Sequence, residues 1–159
     1  MKTTHFEAYF SPGEDCLNHI IKLIKSAQKH LEICVFTISD DRISRAILAA
    51  YSRGVSLRII TDNDKVWDDG SDIETLFNEG VAVKVDDTSY HMHHKFMLVD
   101  RKVLLTGSYN WTRAAAQYNQ ENVLSGSDPY LLTKFQLEFE KLWDNCIDFN
   151  EYLAKSYRN

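Results

Sequence analysis

The chain has 159 residues, a formal net charge of −5, 44% hydrophobic and 26% charged residues, two prolines and no low-complexity run. That balance fits one domain, 1–159, able to bury a core without disulfide staples, and the acidic total argues against a general electrostatic affinity for nucleic acid or anionic membranes while leaving room for a local basic cluster. Cys16, Cys34 and Cys146 are odd in number and widely spaced, against a disulfide framework or a structural zinc site, and no segment approaches 18 consecutive apolar residues.

In chain order, residues 5–10 ("HFEAYF") alternate like a strand, and "SPGE" follows with Ser11 as helix N-cap, Pro12 at the first helical position and Glu14 as capping-box partner. Leu17, Ile20, Ile21, Ile24 and Ala27 recur at helical spacing, and 31–37 ("LEICVFT") reads as a buried strand. Ser39 or Asp40 caps a second helix carrying Ile43, Ala46, Ile47 and Ala50, ended by Gly54 before a strand over 55–62. A polar loop containing Trp67 leads to a short helix over 72–79 and a strand over 81–86. This alternation predicts parallel βαβ units and an α/β fold, a sheet sandwiched between helices. "KFMLVD" and "VLLTG" are separated by Arg101 and Lys102 alone, so they pair antiparallel and the sheet is mixed. A helical piece near 112–117, a strand over 121–126 and a long helix opened by Asp128 and Pro129 follow, with Leu132, Phe135, Phe139, Leu142 and Trp143 as its apolar stripe. The last dozen residues show no clear pattern.

The chemistry concentrates in residues 91–111, "HMHHKFMLVDRKVLLTGSYNW". Residues two apart on an extended strand share a face, so His93 and Lys95 project together while His94 turns to the core or helix layer. A neutral imidazole beside a fixed ammonium suits attack on phosphorus, because the ammonium neutralises oxygens that otherwise repel a nucleophile. Gly107 lets the backbone leave the second strand, and Ser108 and Asn110 offer a hydroxyl and an amide to the same anion. The full spacing is His93-x-Lys95, four residues, Asp100, six residues, Gly107-Ser108-x-Asn110.

At these positions the chain resembles the phospholipase D superfamily, whose signature has this spacing, and especially its small single-motif members, the bacterial endonucleases and the Zucchini-type mitochondrial nucleases. The likeness runs from "YFSPGE" through "TGSYNWTRAA" and "NQENVL" to "FEKLWD". It implies a mixed α/β/α sandwich and makes His93 the nucleophile that forms a phosphohistidine. It also implies that Lys95, Asn110 and Ser108 hold the phosphate oxygens, and that Glu121 is the acidic residue that orients the histidine. Strand parity turns Asp100 away from His93, so it reads as a structural hydrogen-bonding residue, as Gly107 reads as a structural turn. No cofactor or metal is expected, and His91, His93 and His94 match no structural-zinc spacing. His91, Tyr109, Trp111 and Arg113 are candidate substrate contacts, with Trp67 as a further stacking residue, although core packing or a solvated face accounts for them equally. Arg42, Arg45, Arg101, Lys102 and Arg113 form a candidate basic rim, where solvated faces are again the alternative.

A covalent displacement needs a base-like nucleophile and an acid for the leaving oxygen, but the chain carries one copy of the motif. A homodimer with the site on its two-fold axis supplies the second. The expected function is a metal-independent endonuclease acting on DNA or RNA, single strands favoured. A phospholipase acting on cardiolipin or phosphatidyl lipids, and a catalytically inactive nucleic-acid-binding scaffold, are the alternatives. The sequence shows no apolar leader, membrane span or cysteine-rich insert, so a cytoplasmic protein without stable membrane insertion is expected, nearer the bacterial enzymes than the Zucchini-type ones. A periplasmic protein follows if an export signal has been removed, and the chain is then a part of a longer polypeptide.

Overall fold

The computed structural model describes residues 4–158, and among them eight strands form one mixed sheet flanked by six helices. In chain order these are β1 (Phe6–Phe10), α1 (Asp15–Ser26), β2 (His30–Val35), α2 (Asp41–Ser52), β3 (Ser56–Thr61), α3 (Ile73–Asn78) and β4 (Ala82–Val85). There follow β5 (Lys95–Val99), β6 (Val103–Gly107), α4 (Arg113–Gln117), β7 (Asn122–Gly126), α5 (Pro129–Asn145), β8 (Ile147–Asp148) and α6 (Phe149–Ser156). The strand order is β1-β7-β6-β5-β2-β3-β4-β8, parallel for β2-β3-β4 and antiparallel elsewhere. The mixed α/β sandwich is therefore as expected, with one correction: β1 does not neighbour β2 but lies at the far edge against β7. Connection length told a helix from a hairpin, but not how many strands the helix crossed.

The helix periods explain the layers. The stripe Cys16, Leu17, Ile20 and Ile24 of α1 and Ile43, Ala46, Ile47 and Ala50 of α2 pack with Ile33, Val35, Met97 and Leu105 of the sheet in one large core. The other sheet face is covered by α5, whose Phe139 meets Cys34, Ile60, Phe96, Leu98 and Leu104, with Phe135, Leu142 and Trp143 at its margin. A charge network fixes α5 from within. Arg58 on β3 makes a bidentate pair with Glu140 at 2.6 and 2.9 Å, reaches the buried Glu32 at 2.9 Å, and lies 4.8 Å from the centre of the Phe139 ring. Two paired carboxylates and an aromatic face offset the cost of burying a guanidinium.

Caps form where short polar side chains precede a helix, as at Asp40, Thr112 and Asp128, each accepting from a backbone N–H of the first turn. The expected box at Ser11 does not form: helix α1 begins at Asp15, with Pro12 outside it, and its N-cap Glu14 makes no side-chain cap. Ser11 is drawn away, donating from Oγ to the Asn119 carbonyl at 2.8 Å and accepting from the Glu121 N–H at 3.1 Å. The last dozen residues resolve into β8 and α6, held by Phe149 in the larger core.

The β5–β6 hairpin turns through Asp100 and Arg101, both at positive φ (53° and 55°), the backbone that a tight primed turn requires. Its stabilising group is the Asp100 carboxylate, which accepts from the N–H groups of Gln28, Lys29 and His30 at 2.7–3.2 Å. Those three donors hold the carboxyl below its ordinary range against the opposing effect of burial. Asp100→Ala is expected to cost about 2 kcal/mol in urea unfolding, since three main-chain donors lose a charged acceptor. Because the folded-state pKa is the lowered one, this contribution is present above the unfolded value and fades as pH falls through the folded one.

Candidate active site

The motif's two halves meet where β5 begins and β6 ends. His93, His94, Lys95, Thr106, Gly107, Ser108, Asn110 and Glu121 line one open, polar cleft of about 530 Å³. The strand begins only at Lys95, so the extended-strand parity assumed for residues 91–94 does not apply, yet His93 and Lys95 still converge. Lys95 Nζ donates to the His93 carbonyl at 2.7 Å and lies 2.9 Å from Nδ1 of the same residue. Gly107 is required by contact: a Cβ there would overlap the Asn122 carbonyl, which also accepts from the Ser108 N–H at 3.1 Å. Asn110 closes the cleft with its Oδ1 buried and without a hydrogen-bond partner.

Within the chain the Glu121 carboxylate accepts a hydrogen bond from the Ser108 hydroxyl. Ser108 Oγ in turn accepts from the Asn122 N–H at 3.1 Å. Ser11 fixes the main chain at Glu121 from behind through its two bonds there.

Burial holds the His93 imidazole below its ordinary pKa; Lys95 and His91 add to that, and Asp62 opposes it. Burial lowers the Lys95 ammonium as well, against the pull of Glu121. The arrangement therefore favours a neutral imidazole at neutral pH beside an ammonium that transfers to an arriving anion at little cost.

The remaining candidates separate clearly. Tyr109 and Trp111 are 1% and 0% exposed core residues, so they present no face for base stacking. Their alternation with Ser108 and Asn110 sends one pair into the core as the other enters the cleft. His91 is half-exposed, with Nδ1 3.3 Å from Asp62 and 3.9 Å from Asp64. His94 is half-exposed and turns to α5, 3.7 Å from Glu138. Half-exposed Arg113 pairs with Asp41, as does Arg45, and Arg42 grips Asp40 at 2.8–2.9 Å. Arg101 and Lys102 sit in the hairpin turn at the other end of β5, so the basic rim does not form as expected.

Sequence reasoning missed Phe36, Asp62 and Lys65, which follow the carboxyl ends of β2 and β3, the customary side for sites in α/β sheets. Fully buried Asp62 accepts from the Met92 N–H at 2.8 Å and from the Asp64 N–H at 3.0 Å. With Asp64 and His91 it forms a close cluster that these hydrogen bonds account for, and we assign no metal to it. No helix among the described residues is long and apolar enough to cross a membrane.

The comparisons agree with this geometry. Residues 20–143 match the family model "Cardiolipin synthase, PLD-like domain". The chain is 46% identical over 143 residues to a mitochondrial cardiolipin hydrolase from Chlamydomonas reinhardtii, covering 90% of this chain and 63% of that protein. It thus spans less than two thirds of that relative's length. Nuc from Salmonella typhimurium, a phospholipase D family member, superposes with a TM-score of 0.85 at 24% identity, covering 92% and 99% of the two chains. NucT from Helicobacter pylori gives 0.84 at 26% identity, covering 92% and 100%. The expectation that the chain lies nearer the bacterial enzymes is reversed, since its identity to the mitochondrial relative is far higher. With six motif positions in spacing and the family model matched over most of its length, the chain belongs to the phospholipase D-like domain family.

Proposed function

We propose that the chain is a metal-independent phosphodiesterase that cleaves nucleic-acid strands through a covalent phosphohistidine. The observation that carries the reading is the convergence of His93, Lys95, Ser108 and Asn110 on one open, polar cleft. A phosphodiester entering it competes for the Lys95 ammonium, and drawing Lys95 onto its oxygens frees the imidazole lone pair. His93 then attacks phosphorus, an N–P bond forms, and the P–O bond to the leaving group breaks as that oxygen takes a proton. Water displaces the histidine in the second step.

The second reading is hydrolysis of a phosphatidyl lipid such as cardiolipin, favoured by the name of the 46%-identical relative. Cleavage of labelled single-stranded DNA, double-stranded DNA, RNA and cardiolipin vesicles in EDTA, by the native chain and by His93→Ala, tests both. We expect single-stranded nucleic acid to be cut and the substitution to lower the rate on the order of 1,000-fold or more. Hydrolysis of vesicles alone transfers the assignment to lipid, and loss in EDTA with recovery on adding a divalent ion removes the metal-free mechanism.

The proton for the leaving oxygen comes from the His93 of a second copy, because His91 and His94 of the same chain are turned to the carboxylates of Asp62 and Glu138. A surface for that copy adjoins the cleft. Helix α5 leaves the β1–β7 flank bare, where Phe6, Phe10 and Leu124 are 44%, 68% and 40% exposed. Thr106 lines both the cleft and an apolar groove of about 220 Å³ formed with Phe6, Leu104, Leu124, Leu131 and Phe135. An uncovered apolar strip beside half a site suits an isologous dimer.

Phe10→Asp with Leu124→Arg is expected to sediment as a monomer and to lose activity on the order of 100-fold, the worth of one general acid. A native chain that is fully active while monomeric would exclude the shared site. The paired histidines further predict a bell-shaped dependence of kcat/KM on pH, rising as His93 loses its proton below the ordinary imidazole value and falling as the partner's acid deprotonates. A single inflection would argue against the pair.

A further inference from the structure

Phe36 stands just beyond β2 and is fixed through its main chain on both sides. Its N–H donates to the His94 carbonyl at 2.9 Å, within the motif itself, and its own carbonyl accepts from Thr61 Oγ1 at 3.1 Å. From that anchored position the partly buried ring meets four groups of the site region. Its centre lies 4.6 Å from the His93 ring, at an interplanar angle of 55°, and 5.2 Å from the His91 ring, which meets it edge-on at 79°. Lys95 Nζ and Lys65 Nζ each lie 5.4 Å from the same centre. The two histidine rings are 6.4 Å apart, so one phenyl ring packs against both.

We propose that Phe36 is the positioning residue of this site, fixing the aim of the His93 ring and keeping the Lys95 ammonium beside it. The assignment rests on the hydrolase reading for its catalytic consequence, though not for the contacts. A phenyl ring suits the task for two reasons. Its bulk against the imidazole limits rotation of a side chain that, among the described residues of this chain, is hydrogen-bonded to no carboxylate. Its π-system attracts the Lys95 ammonium without accepting any of the hydrogen bonds that a phosphate needs.

The charged and titratable groups around His93 are Lys95 on β5, His91 and His94 on its own loop, Asp62 after β3 and Glu121 across the cleft, with Lys65 beyond the Phe36 ring. Removing the ring admits water to one side of His93 and takes the π-face from Lys95, whose bond to the His93 carbonyl is independent of it. Burial is the leading influence that keeps the imidazole low, so the admitted water raises its titration midpoint. Loss of the ring's attraction for an imidazolium acts the other way, and is the smaller effect for rings that meet at a tilt.

The test is to follow the His93 titration by NMR in the native chain and in Phe36→Ala, together with kcat and KM across pH. The expected result is an upward shift of the His93 midpoint, a matching shift of the acid limb of the rate profile, and kcat lower on the order of 10- to 100-fold with KM little changed. Phe36→Tyr is expected to restore native values. Should Phe36→Ala unfold, Phe36→Leu keeps the bulk but loses the π-face, and is expected to shift the midpoint the same way by less. A His93 midpoint unmoved in the folded variants, or an effect confined to KM, overturns the assignment. The titration needs no substrate: an unmoved midpoint refutes the role of Phe36 with the hydrolase reading intact, and a shifted midpoint in a chain that cleaves neither strand nor lipid upholds the placement while that reading fails.

Discussion

Asp100 holds the β5–β6 hairpin by accepting three main-chain N–H groups from residues 28–30, just ahead of β2 and at its first residue. The antiparallel ladder then runs Leu31↔Val99 to Val35↔Lys95, and one step further the Phe36 N–H meets the His94 carbonyl. Five residue steps at about 3.4 Å separate Asp100 from Lys95, so a turn residue about 17 Å away along the strand sets which side chains face each other in the cleft. A slip of one residue would reverse every side chain of β5, sending Lys95 toward α5 and Phe96 toward the larger core. The motif aspartate contributes to the site by defining register, although it touches none of the groups that line the cleft.

The site's electrostatics follow from the same geometry. The chain is acidic overall, and many of its arginines are spent on neighbouring carboxylates: Arg42 on Asp40, Arg113 and Arg45 on Asp41, Arg58 on Glu140 and Glu32. What faces the cleft is a short list of polar groups in which Lys95 is the ammonium and Glu121 the carboxylate. Partial burial weakens both His93 and Lys95 as bases, and the Glu121 carboxylate across the cleft opposes the effect on Lys95.

Much of this was legible in the sequence. Strands and helices were readable because a stripe such as Leu17, Ile20 and Ile24 has one period and a run such as "LEICV" another, and each matches a face that is buried. The convergence of His93, Lys95, Ser108 and Asn110 on one cleft was legible because these residues are close in sequence and joined by a hairpin. What escaped depended on distance. The place of β1 follows from pairing with residues more than a hundred positions away, and Ser11 abandoned its expected cap for a carbonyl at Asn119. Phe36 was hidden inside an apolar run, where a ring in the core and a ring beside His93 look alike. Tyr109 and Trp111 stood between two readings, stacking and core packing, because polar neighbours left their exposure open; both are buried.

Helix α5 has a further consequence. An apolar helix lying alone on a sheet face has several nearly equivalent seats, because greasy contacts are forgiving of a small rotation or slide. The clasp of Arg58 on Glu140 removes that freedom, since a guanidinium fork matches one carboxylate in one orientation. The helix behaves as a keyed part rather than a floating cover. The strip it leaves uncovered has the same outline in every molecule, and two copies meeting there would encounter a matched template instead of a shifting one.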